Sequence, residues 1–212
     1  MKLHIEKDPA CMGRVAADLA SETIVRAIER NGHARIILAT GASQFQMLDE
    51  LVTRDIDWTR VTGFHLDEYI GLSDQHPASF RRYLRERFVR KVPVAEFHFL
   101  SGDATDLAAE CDRAGNLLIE APIDLAMVGI GENGHLAFND PPADFATEAP
   151  YLIVELDEAC RRQQLGEGWF ETIETVPKKA ISMSVHRIMQ SKRIVVTVPD
   201  ARKADAVAAS LQ

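Results

Sequence analysis

One short segment constrains the fold of this 212-residue chain more than any other stretch. It starts with an apolar run at residues 123–128, interrupted only by Asp124, and continues into a loop with three glycines that ends at His135. A short apolar run of this kind suits a central parallel strand that is covered on both faces. Ligands of open α/β sheets bind outside the carboxyl ends of the strands, so a histidine placed there indicates an active site.

Strand and helix patterns alternate along most of the chain. Besides residues 123–128, the sequence predicts strands at residues 3–5, 35–39, 61–66, 97–100, 152–156, 180–185 and 193–198. It predicts helices at residues 9–31, 45–52, 78–92, 105–120 and 200–211, the first of them capped by Asp8 and opened by Pro9. This order favours an α/β fold, a doubly wound, mainly parallel sheet with helices on both faces (Rossmann-like), in one domain over residues 1–212.

Two segments carry more specific expectations. In the helix at residues 78–92, we expect five arginines and Lys91 to face solvent. Residues 160–168 are polar and contain glycine, which is typical either of a lid that closes over a substrate or of a surface connection.

Bulk properties exclude several classes of protein. A composition of 46% hydrophobic and 26% charged residues is ordinary for a soluble globular chain. No apolar run approaches the roughly 18 residues of a membrane span and the start lacks a signal peptide, so we expect a cytoplasmic protein that does not contact a membrane. The net charge of −8 without a basic run argues against nucleic-acid binding. Three scattered cysteines favour reduced packing residues over a disulfide framework or a CxxC metal site.

A turn of small residues, Thr40, Gly41, Ala42 and Ser43, joins a predicted strand to a predicted helix. Free N–H groups and the helix dipole make such a turn an anion site, although a plain connection is an equally good interpretation of the turn alone. Lys203 lies in the first turn of the last predicted helix, where a cation opposes the dipole unless an anion lies between them. This placement favours a phosphate ligand.

Two adjacent acids, Asp67 and Glu68, follow the predicted strand at residues 61–66. An isolated acidic pair is more often a solvated part of a loop. Their position at the carboxyl end of a strand instead favours a role in the site.

Four ordered motifs resemble the glucosamine-6-phosphate deaminase family. They are TGAS at residues 40–43, FHLDEYIGLSDQHPASF at 64–80, GIGENGHLAFNDP at 129–141 and VPKKA at 176–180. The likeness extends over nearly the whole chain. The 6-phosphogluconolactonases of the same superfamily differ in the residues after the glycine loop and after the acidic pair, so the resemblance favours the deaminases.

The resemblance implies an aldose-to-ketose isomerisation of an amino-sugar phosphate with loss of ammonia, and it implies neither a metal nor an organic cofactor. Asp67 then matches the base that moves a proton between C2 and C1, and His135 matches the group that opens the sugar ring. Residues 40–43, Arg161 and Lys203 match the positions that hold the phosphate, with Arg162 as the rival of Arg161.

Two positions depart from the family pattern at the site. Asn133 stands where the family usually has Asp, and Asp140 stands where it usually has Glu. An asparagine can orient a histidine but supplies no charge, so we expect slower ring opening, which Asn133→Asp would restore if the change is a handicap. The turn at residues 40–43 also departs, with Ala42 where the family usually carries glycine. The resemblance further leads us to expect a strand and a tail beyond Gln212.

Three functions are consistent with these residues. The first is an isomerising deaminase on a hexosamine 6-phosphate. The second is a 6-phosphogluconolactonase-type hydrolase in which His135 activates water, and the third is a non-catalytic sugar-phosphate sensor. In each the partner is a small sugar phosphate, and a homo-oligomer is left open.

Overall fold

Eight strands are found in the computed structural model, which describes residues 1–166, 168–199 and 201–211. They are β1 (Ala34–Leu38), β2 (Val61–His65), β3 (Asp67–Tyr69), β4 (Glu96–His98), β5 (Leu125–Val128), β6 (Tyr151–Glu155), β7 (Lys179–Met183) and β8 (Ile194–Val196). The α-helices are α1 (Pro9–Asn31), α2 (Phe45–Leu51), α3 (Phe80–Leu84), α4 (Leu107–Ile119), α5 (Glu158–Gly166), α6 (Val185–Met189) and α7 (Ala204–Ser210). A π-helical turn, Arg85–Val89, continues α3, and short 3₁₀ turns occupy Ala42–Gln44, Trp58–Arg60 and Ala201–Lys203.

The central sheet has five parallel strands in the order β4-β2-β1-β5-β8. From β1 the chain builds the sheet outward in one direction through β2 and β4, and in the other through β5 and β8. The order therefore reverses between β1 and β5. This confirms the predicted doubly wound, mainly parallel sheet.

A second sheet was not predicted. It is antiparallel, in the order β3-β7-β6. The chain passes from β2 into β3 through Leu66, whose N–H donates to Leu38 and whose carbonyl accepts from Met183. The acidic pair of residues 67 and 68 follows the carboxyl end of β2, as expected, and it lies on a paired, buried strand rather than in a solvated loop.

Both faces of the central sheet are buried. The buried faces of α1, α2 and α3 form one apolar cluster against the sheet, including Ala20, Ile24 and Leu48. On the other face α4 and α6 pack together with the second sheet, through residues such as Leu118 and Ile188. Apolar side chains on both faces explain the nearly continuous apolar pattern of β1 and β5.

Several local expectations were wrong. Residues 3–5 do not form a strand, and Leu3 and Ile5 are exposed. Residues 160–166 of the segment expected as a lid or a surface connection belong to α5, so they are not a plain connection, and a lid role stays a prediction. Glu167, part of the same segment, lies outside the described residues. Arg81 does not face solvent: it is buried, because its guanidinium lies 3.5 Å from the Glu68 carboxylate and 2.9 Å from that of Asp103.

The other predicted strands and helices have counterparts whose ends differ by a few residues. The last helix begins at Ala204, after the turn Ala201–Lys203, and Asp200, its expected first residue, lies outside the described residues. Over residues 1–166, 168–199 and 201–211, none of the helices combines the length and the apolar composition that crossing a bilayer requires.

Candidate active site

A cavity opens at the carboxyl ends of β1 and β5, where the strand order reverses. This switch point is the place where open α/β sheets bind ligands. The cavity measures about 780 Å³ including its open mouth. Its wall is formed by Ala39, Thr40, Gly41, Ala42, Ser43, Leu66, Asp67, Phe80, Gly129, Ile130, Gly131, Glu132, His135, Ala137, Phe138, Gln163, Gln164, Pro199, Arg202 and Lys203.

Asp67 lies in the cavity wall on the first residue of β3, opposite Ser182 of β7. The residue is only 6% exposed, and its Oδ1 atom has no hydrogen-bond partner in the protein. Burial, and secondarily the neighbouring charge of Glu68, raises the pKa of Asp67 to about 8. A carboxylate with such a pKa accepts a proton near neutral pH, as a general base must.

Glu68 points the other way and anchors the start of α3. Its carboxylate accepts hydrogen bonds from the backbone N–H groups of Phe80 and Arg81 (3.1 and 2.7 Å) and from the Ser79 hydroxyl (3.0 Å). Burial raises its pKa, while these hydrogen bonds act in the opposite direction. The two adjacent acids therefore differ in role: Asp67 faces the cavity, and Glu68 connects β3 to a helix.

His135 is buried, and its Nδ1 atom lies 3.0 Å from Oδ1 of Asp140, although the contact is not aligned as a hydrogen bond. Asn133 links the two residues. Its Nδ2 donates to Asp140 Oδ1 (3.0 Å), and its Oδ1 accepts from the backbone N–H of His135 (3.0 Å). Burial acts to raise the pKa of Asp140, but the contacts with His135 and Asn133 outweigh it and hold that pKa below its ordinary value. An ionised carboxylate thus lies beside the imidazole.

Two glycines of the loop are required by close contacts. A Cβ on Gly131 would lie 2.3 Å from Cε1 and Nε2 of His135, so the ring packs directly on the backbone. A Cβ on Gly129 would lie 2.6 Å from the Ser43 hydroxyl. The loop therefore approaches both the histidine and the small-residue turn more closely than a residue with a side chain would permit.

The turn of residues 40–43 forms one end of the cavity. Gly41 has a φ of 93°, and its carbonyl accepts a hydrogen bond from the Tyr83 hydroxyl (3.2 Å). Behind the turn, Gln44 donates to Thr197 (2.8 Å), whose hydroxyl donates to the Ser43 carbonyl (3.0 Å). Tyr83 and Thr197 therefore fix the position of the turn. Lys203 lines the same cavity, so the structure brings the two predicted parts of an anion site together.

Arg161, in contrast, does not belong to the wall that the described residues form around the cavity. Its guanidinium donates to the backbone carbonyls of Ile173 and Val176. Its rival Arg162 is exposed and pairs with Glu158 one helical turn away. A phosphate-binding role of Arg161 stays a prediction, as do the roles of the other residues of the site.

Three polar residues of the cavity wall that lie outside the four motifs were missed. Arg202 lies beside Lys203 and forms an ion pair of 3.2 Å with Glu132 of the glycine loop. Gln163 accepts from the Glu132 N–H (3.0 Å), and Gln164 accepts from the Tyr69 hydroxyl (2.6 Å). The paired cations at residues 202 and 203 could have been noticed in the sequence. The two glutamines carry no such signal, because only the fold brings α5 to the cavity.

Comparison with known proteins agrees with this geometry. The chain matches the family described as Glucosamine-6-phosphate isomerases/6-phosphogluconolactonase over residues 7–212. A glucosamine-6-phosphate deaminase of Lactobacillus delbrueckii subsp. bulgaricus is 34% identical over 209 residues, which is 98% of this chain and 85% of the relative. The deaminase of Streptococcus suis is 34% identical over 213 residues, covering 100% of this chain and 87% of the relative.

Solved structures lead to the same family. A monomeric glucosamine-6-phosphate deaminase superposes with a TM-score of 0.89 at 31% identity, covering 100% of this chain and 87% of that one. A 6-phosphogluconolactonase of Shewanella baltica superposes with a TM-score of 0.80, covering 98% and 84%, but at 20% identity it shows the shared fold alone. From the family match and the relatives of 34% identity, we conclude that the chain belongs to the glucosamine-6-phosphate isomerase/6-phosphogluconolactonase family of enzymes.

Proposed function

We propose that the protein is an isomerising deaminase that converts a hexosamine 6-phosphate, glucosamine 6-phosphate in the first place, to a ketose 6-phosphate and ammonia. One observation carries the proposal. A buried carboxylate with a pKa of about 8, Asp67, lines the same cavity as His135 and the small-residue turn. Supporting it are the deaminase relatives that are 34% identical over nearly the whole chain.

The chemistry begins with ring opening, which we assign to His135. The imidazole transfers a proton between the ring oxygen of the sugar and its anomeric hydroxyl. During the transfer the imidazole is positively charged, and Asp140 stabilises that charge. Asn133 holds His135 and Asp140 in place through hydrogen bonds to both residues. The open-chain aldehyde then lies within the cavity.

Asp67 acts on that open-chain form. Its carboxylate removes the proton from C2, giving an enolamine, and the return of a proton to C1 gives an imine at C2. Water hydrolyses the imine, so that ammonia leaves and the ketose remains. The unpartnered Oδ1 atom of Asp67 is the atom that we assign to the proton transfer.

The phosphate group is assigned to the end of the cavity formed by residues 40–43 and Lys203. Backbone N–H groups of the turn and the Ser43 hydroxyl offer hydrogen bonds, and the lysine adds a positive charge. Arg202 adds a second cation at this end. Such a cradle fixes the sugar by its unreactive end and leaves C1 and C2 to the acid and base groups.

The test is ammonia release from glucosamine 6-phosphate by the purified chain, with the ketose phosphate measured in the same sample. We expect the two products in equal amounts. Hydrolysis of a 6-phosphogluconolactone without ammonia release would support the lactonase alternative. Binding of the sugar phosphate without either reaction would support the sensor alternative and contradict the proposal.

A further inference from the structure

Three side chains of types that can bind a metal ion lie close together beside the cavity. They are the imidazole of His135, the carboxylate of Asp140 and the thiol of Cys160, and their ligand atoms all lie within 4.8 Å of one another. Cys160 is 1% exposed and His135 is 8% exposed. Their positions at 135, 140 and 160 follow no metal-binding spacing, so the sequence did not indicate this group.

Two buried polar atoms of the group lack a well-aligned hydrogen bond, although Nδ1 of His135 lies 3.0 Å from Asp140 Oδ1. Both Nδ1 of His135 and Oδ2 of Asp140 are buried without a hydrogen-bond partner in the protein. A buried polar atom of this kind is costly unless something binds it. Both atoms belong to the same small group as the thiol, so a ligand bound there would contact all three side chains.

We propose that His135, Asp140 and Cys160 form a binding site for a divalent ion of the zinc type, and that the bound ion inhibits the enzyme. Imidazole nitrogen, carboxylate oxygen and thiolate sulfur are the three ligand types of protein zinc sites. A tetrahedral zinc ion needs ligand atoms separated by roughly 3.3–3.6 Å, as follows from bond lengths of about 2.0–2.3 Å. His135 Nδ1 and Asp140 Oδ1 are already 3.0 Å apart.

The charges of the site also suit a divalent ion. Binding replaces the proton on the Cys160 thiol, which is released to solvent, and the thiolate and the Asp140 carboxylate then balance the two positive charges. The ion and its ligands are neutral together. This neutrality matters because a buried uncompensated charge is strongly destabilising.

We expect inhibition because the ion binds to Nδ1 of His135, and this expectation rests on the proposed function. Nδ1 of His135 faces Asp140, whereas the Cε1–Nε2 edge of the ring packs on Gly131 of the cavity wall. A cation on Nδ1 disfavours a second proton on the ring. It also takes the Asp140 carboxylate that we assign to stabilising the imidazolium.

The site can be tested by titrating the metal-free full chain with Zn²⁺ in competition with a chromogenic chelator, and with Co²⁺ as a spectroscopic probe. We expect one ion per chain and a thiolate-to-cobalt charge-transfer band. Cys160→Ser should weaken zinc binding by at least ~100-fold, more than the ~10–100-fold typical of losing an outer-shell partner. Cys160→Ala provides a second variant in case the buried serine disturbs folding. Cys111→Ser is the matched control and should bind as the unmodified chain does.

The outcomes separate the site from the proposed function. Saturating Zn²⁺ should abolish ammonia release by the unmodified chain and by Cys111→Ser, and spare Cys160→Ser. No zinc uptake, or equal uptake by the Cys160 variants, would overturn the site even if the deaminase activity is present. Tight binding that depends on Cys160 would uphold the metal site even if no ammonia is released, while inhibition would then fail together with the proposed function.

Discussion

At the residue scale, the chemistry depends on the different hydrogen bonding and pKa values of carboxylates that lie close together. Asp67 is buried without a partner for Oδ1, whereas Glu68, the next residue, accepts several hydrogen bonds. Asp140 is held ionised by contacts with His135 and Asn133. One group is therefore prepared to take up a proton near neutral pH, and another is prepared to stay charged.

The burial of Asp67 can be tested through stability, independently of any activity. Its pKa rises from an ordinary 3.8 to about 8 in the folded protein, so the folded state binds the proton more tightly than the unfolded state. The contribution of Asp67 to the free energy of unfolding is therefore complete below about pH 4 and is lost as the pH rises to about 8. Asparagine cannot ionise, so Asp67→Asn should gain stability relative to the unmodified chain over this range.

Denaturant unfolding at a series of pH values measures this difference. A difference in free energy of unfolding that stays constant between acid and pH 8 would show that the carboxylate is not buried as described. Glu96→Gln is a suitable control, because Glu96 is exposed on the edge strand β4.

Asn133 is a second test at this scale. The sequence predicted that this asparagine slows ring opening. In the structure, however, its Nδ2 donates to Asp140 and its Oδ1 accepts from the backbone N–H of His135. Asn133→Asp would remove the donor and place two carboxylates in contact. We therefore expect kcat to fall, by roughly tenfold if one charged hydrogen bond is lost. A rise in kcat for ammonia release would restore the interpretation from the sequence, that the asparagine weakens ring opening.

At the scale of elements, the site depends on loops that approach one another closely. The glycine loop after β5 touches the turn after β1 at Gly129, and it carries the ring of His135 on Gly131. The helix α5 reaches the same loop through Gln163. Three segments far apart in the sequence therefore fix one another's positions.

Gly131→Ala should damage catalysis more than stability. Its Cβ would lie 2.3 Å from the His135 ring, so the ring must move by an ångström or more. A displacement of that size costs about 100-fold in rate. Steady-state kinetics and thermal unfolding measure the two effects in the same preparation.

Gly166→Ala is the matched control for this substitution. Gly166 ends α5, and a Cβ there meets nothing within 4 Å. We expect unchanged kcat and a stability gain of at most ~0.5–1 kcal/mol. If Gly131→Ala behaved like this control, the close packing of His135 on the loop could not be important for its action.

Alternating apolar patterns predicted the central sheet, because strands buried on both faces have a recognisable composition. The second sheet was missed because β3 has only three residues and carries two acids, Asp67 and Glu68, which favour a loop assignment. The helix that begins the segment at residues 160–168 was not predicted, because its polar composition hides the buried Cys160 and Gln164.

In the site, too, some residues were predictable from the sequence and others were not. Asp67, His135 and the turn of residues 40–43 were predicted from their positions after strands, and the structure places them in one cavity. Arg161 was assigned by resemblance alone, and its side chain instead contacts the carbonyls of Ile173 and Val176. Gln163 and Gln164 could not be predicted, because the orientation of α5 depends on tertiary packing.

At the scale of the whole molecule, the cavity lies where the strand order reverses, and ligand binding should therefore stabilise the folded chain as a unit. A hexitol 6-phosphate cannot react but presents the same phosphate. At a concentration of 100 times its Kd it should add ~2.7 kcal/mol to the free energy of unfolding. For a chain of this size that corresponds to a rise in Tm of roughly 5–11 °C.

The unphosphorylated hexitol at the same concentration is the control, and it should give a small shift. Equal shifts from both compounds would mean that the turn of residues 40–43 and Lys203 do not bind the phosphate. Lys203→Ala should reduce the shift caused by the hexitol phosphate, since it removes one charge from that end of the cavity.

Ammonia release from glucosamine 6-phosphate by the unmodified chain and by Asp67→Asn, at saturating substrate, tests the central claim most directly. We expect ammonia and ketose phosphate in equal amounts from the unmodified chain, and a loss of kcat of at least ~100-fold in the variant, as is typical when a general base is removed. The hexitol phosphate should still bind to the variant. Equal rates from the two proteins, or no ammonia from either folded protein, would contradict the assignment of Asp67 as the base of a deaminase.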